Sequence, residues 1–267
     1  MASLKQAVRR VLHRAGLLQF YFRAVEWRLM QGRNAPPATD ENGTPIPPLK
    51  LMAQTVAHAD WRAFLKTGEA TAKALGKHAT EAGFSFSQAG RILDFGCGAG
   101  RVIRHLPLLT DAQLFGVDYN QNLLNWCAQN LPGAYKRNEL APPLDFPDAH
   151  FDILYALSVF THLREDTQRQ WLDDYARVLQ RGGLALISFH EETQPGFPQT
   201  EAARSAIASR GFYVHNDMAE GSNLIATFQT RAHAERIFGE MFDVVRLIPR
   251  LEAGVGQSLA VLRRRDV

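Results

Sequence analysis

Apolar residues along this chain follow two different periods, and the change between them falls near Arg91. Over residues 3–31 they recur at helical spacing: Leu4, Val8, Val11, Leu12 and Ala15 share one stripe, with Arg9, Arg10 and Arg14 elsewhere. Gly16 breaks or bends this helix, and Phe20, Tyr21, Phe22 and Trp27 follow. Residues 34–48 carry Pro36, Pro37, Pro45, Pro47 and Pro48 around Asn42-Gly43, which predicts a partly extended loop or linker. Helical spacing returns over 58–82 through Trp61, Phe64, Leu65, Ala72 and Leu75. Beyond Arg91, short apolar runs alternate with helical stretches. Strands are expected at 91–95, 113–117, 133–137, 151–156, 184–190, 242–249 and 257–263, and helices at 99–107, 120–130, 166–180, 199–209 and 230–240.

Such alternation implies a mostly parallel sheet with helices on both faces, doubly wound through right-handed crossovers. The last two strands, joined through Gly254 and Gly256, read as an antiparallel pair closing the sheet. Segment 191–229, with Pro195, Gly196, Pro198, Gly211 and Gly221, reads as irregular apart from one short helix. The expected organisation is a basic helical extension with a Pro-rich linker over 1–54 and an α/β domain over 55–267.

With 46% hydrophobic and 21% charged residues, the composition supports a packed core and excludes global disorder. A net charge of +3 is too small to argue for nucleic acid. The charge is uneven, however: residues 1–50 hold eight Lys/Arg against Glu26, Asp40 and Glu41. Residues 3–31 therefore read as a helix packed on the main domain with a solvated basic face. Peripheral contact with an anionic membrane, or a partner, is the alternative. No apolar run reaches the roughly 18 residues that span a bilayer, and no secretory signal is visible. The two cysteines, Cys97 and Cys127, define neither a disulfide framework nor a zinc site, so a cytoplasmic setting is expected.

The chemistry concentrates in Leu93-Asp94-Phe95-Gly96-Cys97-Gly98-Ala99-Gly100-Arg101. Here an apolar strand ends in an acid and glycines take every second position, so backbone can approach a ligand closely. The carboxyl ends of strands are where open α/β sheets bind ligands. A dinucleotide loop would read G-x-G-x-x-G, but Arg101 occupies the third glycine slot. An acid before the glycines repels a pyrophosphate and suits a cation. At the next strand end stands Asp118, 24 residues after Asp94, placed to accept hydrogen bonds from ribose hydroxyls.

LDFGCGAGR, GVDYN, FDILYALSVFTHL and RVLQRGGLALIS, in this order, resemble the class I S-adenosylmethionine-dependent methyltransferases. SVFTHL and QSLAVLRR are similar to a bacterial subgroup acting in polysaccharide or specialised metabolism. The resemblance implies a Rossmann-like sheet of seven strands with an antiparallel last strand, and S-adenosylmethionine as cofactor. It implies that Asp94, Gly96, Cys97 and Gly98 line the methionine end, that Asp118 holds the ribose and that Tyr119 flanks the adenine. Asn138 and Leu140 match the position that contacts the adenine ring. Ala156, Leu157 and Val159 belong to the floor near the sulfonium, and Phe64 and Gly68 close over the methionine end. The expected reaction is methyl transfer to a small-molecule, lipid-linked or carbohydrate-linked acceptor.

His162 and His190 follow the carboxyl ends of central strands, where a neutral imidazole could take a proton from a hydroxyl. Glu191 could orient a histidine or serve as base. These residues make oxygen the preferred methylated atom, and segment 191–229 the expected substrate lid. Tyr155-Ala156-Leu157-Ser158 lacks the Asp/Asn-Pro-Pro-Tyr pattern of many exocyclic-amine methyltransferases, and no nucleic-acid partner is expected. No cysteine set suits an iron–sulfur cluster, and no acid cluster marks a metal. A non-catalytic S-adenosylmethionine-binding protein and a nicotinamide-dependent oxidoreductase remain as alternatives.

Overall fold

The computed structural model describes residues 17–56, 58–216, 218, 220–222 and 224–265. Residues 3–16 of the expected first helix lie outside them; its second part is α1, Leu18–Met30. α2, Leu49–Val56, and α3, Trp61–Glu81, follow. The central strands are β1, Arg91–Phe95; β2, Gln113–Asp118; β3, Ala134–Arg137; β4, Phe151–Ala156; and β5, Leu179–Phe189. Between them lie α4, Gln121–Asn130, and α5, Glu165–Val178. Beyond β5 come α6, Glu201–Arg210; β6, Phe212–His215; β7, Ala226–Gln229; α7, Arg231–Met241; β8, Phe242–Ile248; α8, Arg250–Ala253; and β9, Ser258–Arg264.

Seven strands form one sheet in the order β3-β2-β1-β4-β5-β9-β8. The first five are mutually parallel, and β9 runs antiparallel between β5 and β8. This is the expected Rossmann-like sheet with its antiparallel last strand. Period-two alternation divides the buried side chains between two layers. Leu93, Phe95, Leu154 and Ala156 pack with Trp171, Tyr175 and Phe238 of α5 and α7. Ile92, Ile153 and Tyr155 face Ala72, Leu75 and Ala79 of α3 on the other side. Because both faces are covered, the strands read as continuous apolar runs.

Several expectations change. The helix expected at 99–107 is a series of turns leading into a 3-10 stretch, Ile103–Leu108. Pro107 lacks an N–H for an α-helical bond, and its ring crowds the preceding turn. Strand β5 begins at Leu179 rather than 184; its pairing with β4 shifts register between Phe151 and Ile153. Segment 191–229 is not simply irregular, since β6 and β7 pair antiparallel as a hairpin with a long connection. α2 was not anticipated, being too short to show a period, and it runs across residues 54 and 55.

The Pro-rich loop before α2 is fastened to the domain by a buried ion pair. Arg104 Nη2 donates to Asp40 Oδ2 at 2.9 Å and to the Thr44 carbonyl at 3.1 Å. Asp40 Oδ1 in turn accepts from the Asn42 and Thr44 amides, both at 3.0 Å. α3 is capped by Asp60, which accepts from Ala63 N–H at 3.1 Å, and buries Phe64, Gly68, Thr71, Ala72 and Leu75 along one stripe. Gly68 sets how closely α3 approaches the glycine loop. A Cβ there would lie 2.0 Å from the Arg101 carbonyl oxygen. Gly68→Ala should therefore destabilise the protein by about 1–3 kcal/mol through forced backbone separation. Denaturant unfolding should show the lowered midpoint; an unchanged midpoint would contradict this packing.

Candidate functional site

A cleft opens at the carboxyl ends of β1, β2 and β4, in two communicating parts that share Thr55, Gly96, Leu157, Ser158 and His162. The mouth is lined by Asp118, Tyr119, Asn138, Leu140 and Val159, and the deeper part by Asp94, Cys97 and Arg101. The sheet order places these residues together, because β1 lies between β2 and β4 and all three strands end at the same level.

The glycine loop is held by its own amides. Gly96 and Cys97 N–H donate to the Val117 carbonyl at 2.8 and 2.9 Å. Gly98 N–H donates to Asp118 Oδ2 at 2.9 Å, and Ala99 N–H to Thr55 Oγ1 at 2.9 Å. Gly100 N–H reaches the Cys97 carbonyl at 3.0 Å. Gly96 and Gly98 have φ values of +78° and +56°, and a Cβ on either would come within 2.6 Å of Val159 or Thr55 side-chain carbon. With these amides engaged and no α-helix behind the loop, a pyrophosphate would find neither donors nor a helix dipole. This argues against the nicotinamide alternative more strongly than the missing third glycine did.

Asp94 lies at the end of β1 beside Tyr155, its register partner on β4, and only 4% of it is exposed. Burial pushes its carboxyl up to about 7, against the opposing effects of the Tyr155 hydroxyl and the Arg101 charge. Such a carboxylate lacks a full counter-charge and can take a ligand cation. Arg101, half-buried in the same part of the cleft, donates to Thr71 Oγ1 at 3.3 Å and can face a ligand carboxylate. Burial also raises the carboxyl of Asp118. Its two oxygens accept from the Gly98 and Asn120 amides, at 2.9 and 2.8 Å, and retain lone pairs for hydroxyl donors. Tyr119 and Leu140 remain half-exposed on the walls. Trp171 Nε1 donates to the Leu140 carbonyl at 3.3 Å and stacks edge-on against Phe95, fixing the Leu140 loop.

His162 stands where the two parts of the cleft meet. Its Nδ1 lies 2.7 Å from the Ile225 carbonyl oxygen. A carbonyl can only accept, so Nδ1 carries the proton and Nε2 keeps a free lone pair. Burial lowers its pKa below the ordinary histidine value, favouring the neutral ring. The turn that carries it is clamped by Gln168 and Thr227, whose side chains both donate to the Phe160 carbonyl. The lid segment reaches the same turn: Glu220 accepts from Arg164 N–H at 2.6 Å, and Gly221 N–H donates to the His162 carbonyl at 3.0 Å.

Other expected residues lie elsewhere. Phe64 and Gly68 are buried beneath the glycine loop, where they support it without lining the cleft. Ala156 is fully buried in the core. His190 and Glu191 are off the cleft lining. His190 stacks on Phe228 at 5.2 Å, and burial brings its pKa down to about 4. It ends a hydrogen-bonded chain. Ser158 N–H donates to Ser188 Oγ at 2.8 Å, Ser188 Oγ to Gln257 Oε1 at 2.6 Å, and Gln257 Nε2 approaches His190 Nε2 at 3.2 Å. This chain supports Ser158, which lines the cleft with φ +57°. Gln54 and Thr55 carried no motif signal, Ser158 falls within the expected floor from Ala156 to Val159, and Arg101 was read only as a missing glycine. No set of three His, Cys, Asp or Glu among the described residues is arranged to hold a metal.

A family model described as a methyltransferase domain matches residues 93–187, a span containing Asp94, Asp118 and His162. The fold is that of S-adenosylmethionine-dependent methyltransferases. A Burkholderia thailandensis 1,6-didemethyltoxoflavin-N1-methyltransferase, solved with S-adenosylhomocysteine, matches 80% of this chain and 85% of its own, at 16% identity and a TM-score of 0.55. Among curated proteins, an O-methyltransferase, rstn1, of Aspergillus nomiae is 27% identical over 52% of this chain and 72% of its own length. The tRNA N(3)-methylcytidine methyltransferase trm140 of Schizosaccharomyces pombe is 26% identical over 66% of this chain. The chain spans 57% of that relative's length.

If Asp94 faces the cation of the cofactor, it would link binding to pH. A cationic ligand needs the carboxylate, so below pH 7 a proton must leave before it binds. Affinity for S-adenosylmethionine should be flat above about pH 7 and weaken by up to tenfold per pH unit below it. Calorimetric titration between pH 5.5 and 8 checks this, and Asp94→Asn should bind more weakly with the pH dependence removed.

Proposed function

We propose that this chain transfers a methyl group from S-adenosylmethionine to a hydroxyl oxygen of a small-molecule, lipid-linked or carbohydrate-linked acceptor, with His162 taking the proton. The observation that carries the reading is the placement of His162: its Nδ1 is tied to the Ile225 carbonyl, burial disfavours its charged form, and the residue lines both parts of the cleft. The methyltransferase-domain match and the residues of the deeper cleft support the cofactor. Asp94 would hold the amino group of its methionine part and Arg101 the carboxylate, with Gly96, Cys97 and Gly98 close against the chain. Asp118 would hold the ribose hydroxyls. Tyr119, Asn138, Leu140 and Leu157 would enclose the adenine, with Val159 on the floor. When bound, S-adenosylmethionine supplies an electrophilic methyl group on its sulfonium.

What the protein adds is position and a proton acceptor. Ser158 and His162 border both parts of the cleft, so an acceptor hydroxyl seated there lies near the methionine end and the free Nε2 together. Segment 191–229 acts as the lid, because Glu220, Gly221 and Ile225 grip the turn carrying His162. The likeness to an O-methyltransferase supports oxygen as the methylated atom.

His162→Gln should lower kcat by about 10²–10⁴-fold, the usual range for losing a general base. Cofactor affinity should change little, since Asp94 and Asp118 remain. With saturating cofactor, the acid limb of kcat should fall below the ordinary histidine range near 6.5, because burial lowers the His162 pKa. Turnover assays with product mass spectrometry decide the matter. Undiminished kcat in His162→Gln, or a product methylated on nitrogen or carbon, would overturn the proposal.

A further inference from the structure

Large apolar side chains in the open are concentrated on α1. Of the ten large hydrophobic residues that are exposed among the described residues, four fall within residues 17–27: Leu17, Phe20, Val25 and Trp27. Phe20 is 54% and Trp27 62% exposed. At 3.6 residues per turn, Phe20, Ala24 and Trp27 lie within about 60° of one another. Arg23 and Arg28, both exposed, border this stripe on its two sides. Glu26 points away and accepts from Gln54 Nε2 at 3.0 Å, fixing the opposite side of α1 to α2. An apolar stripe with arginines along both margins is the pattern of a helix lying in a membrane interface. There the rings enter the headgroup boundary and the guanidinium groups reach back to phosphates.

Charge selects the occupant. Residues 1–33 contain seven Lys/Arg (Lys5, Arg9, Arg10, Arg14, Arg23, Arg28 and Arg33) against the single acid Glu26. A second copy would bring the same positive charge against itself. An anionic lipid surface attracts it, and tryptophan favours the interface between headgroups and hydrocarbon. No helix among the described residues is long and apolar enough to cross a membrane, so contact would be from one side.

We propose that α1 docks on an anionic lipid bilayer, with Phe20, Ala24 and Trp27 against the membrane and Arg23 and Arg28 on lipid phosphates. Gln54, bonded to Glu26, also lines the cleft. Docking would therefore hold the Gln54 edge of the cleft one helix diameter, roughly 10 Å, from the membrane surface. Resting on the methyltransferase reading, this narrows the acceptor to a lipid-linked molecule presented at that surface. The docking itself requires no turnover.

The test is co-sedimentation of the full chain with vesicles of phosphatidylcholine alone and of phosphatidylcholine with about one-third phosphatidylserine. Binding is expected to the anionic vesicles only, and to weaken as salt rises. The paired changes Phe20→Ser with Trp27→Ser, and Arg23→Gln with Arg28→Gln, should each reduce it by roughly tenfold or more. Calorimetric titration with S-adenosylmethionine serves as the folding control and should be unchanged in both. Absence of sedimentation with anionic vesicles, or equal sedimentation with both kinds, overturns the proposal. Wild-type binding by both paired variants also overturns it, since residues 1–16 would then carry the attraction. Loss of self-association in the Phe20/Trp27 variant without vesicle binding would assign the stripe to a second copy instead.

Discussion

The glycine loop has a demand that the surrounding structure exists to meet: five consecutive amides, Gly96 to Gly100, must be satisfied while the chain turns sharply beneath a ligand. Two are taken by the Val117 carbonyl of β2, one by Asp118, one by Thr55 of α2 and one by the loop itself. Unpaired buried amides cost about 1–3 kcal/mol each, so these partners are a condition of the loop's shape. Thr55 meets it with one hydroxyl used twice, accepting from Ala99 and donating to the Leu51 carbonyl at 2.8 Å. α2 is thereby part of the cleft, although nothing in its sequence announces a site.

The same arrangement explains the electrostatics. Close packing of the loop leaves Asp94 dry, with Tyr155 beside it and no ion pair to a cation within 4 Å among the described residues. Its carboxyl is pushed up because the protein alone completes only part of its solvation. A ligand cation would complete it. A site that leaves charge unbalanced until its ligand arrives gains selectivity from that imbalance, since a neutral or anionic molecule leaves the buried carboxylate uncompensated.

The sheet and the glycine loop were legible because both are written locally. Strand runs such as FDILYA declare themselves by β-branched and aromatic content, and Asp94 and the glycines need only their neighbours to be recognised. What stayed hidden depends on distant pairing. The β6–β7 hairpin has short strands and a long connection, so no turn signal marks it. Gly68 looked like a residue that could close over a ligand; its closeness to the Arg101 carbonyl shows a glycine required by packing. His162 and His190 looked equivalent, each just beyond a central strand. They differ because Ile225 holds one ring at the cleft, whereas Gln257 and Phe228 hold the other behind it.

That division separates two kinds of residue within one cleft. Asp94, Arg101, Asp118 and the residues of the 138–140 loop all lie in the span matched by the methyltransferase-domain family. The groups that orient His162 and border the remaining mouth include Ile225, Glu220 and Gly221, all beyond that span, and Gln54, before it. The geometry of the strand-end residues is tied to the sheet, where a change in one strand end disturbs its neighbours. The outer groups sit on a hairpin connection and a short helix, which can change with fewer consequences for the core. Relatives can therefore keep the strand-end pattern while differing in what the cleft admits. On the proposed reading, the 191–229 segment, more than the glycine loop, would be where acceptor choice is set.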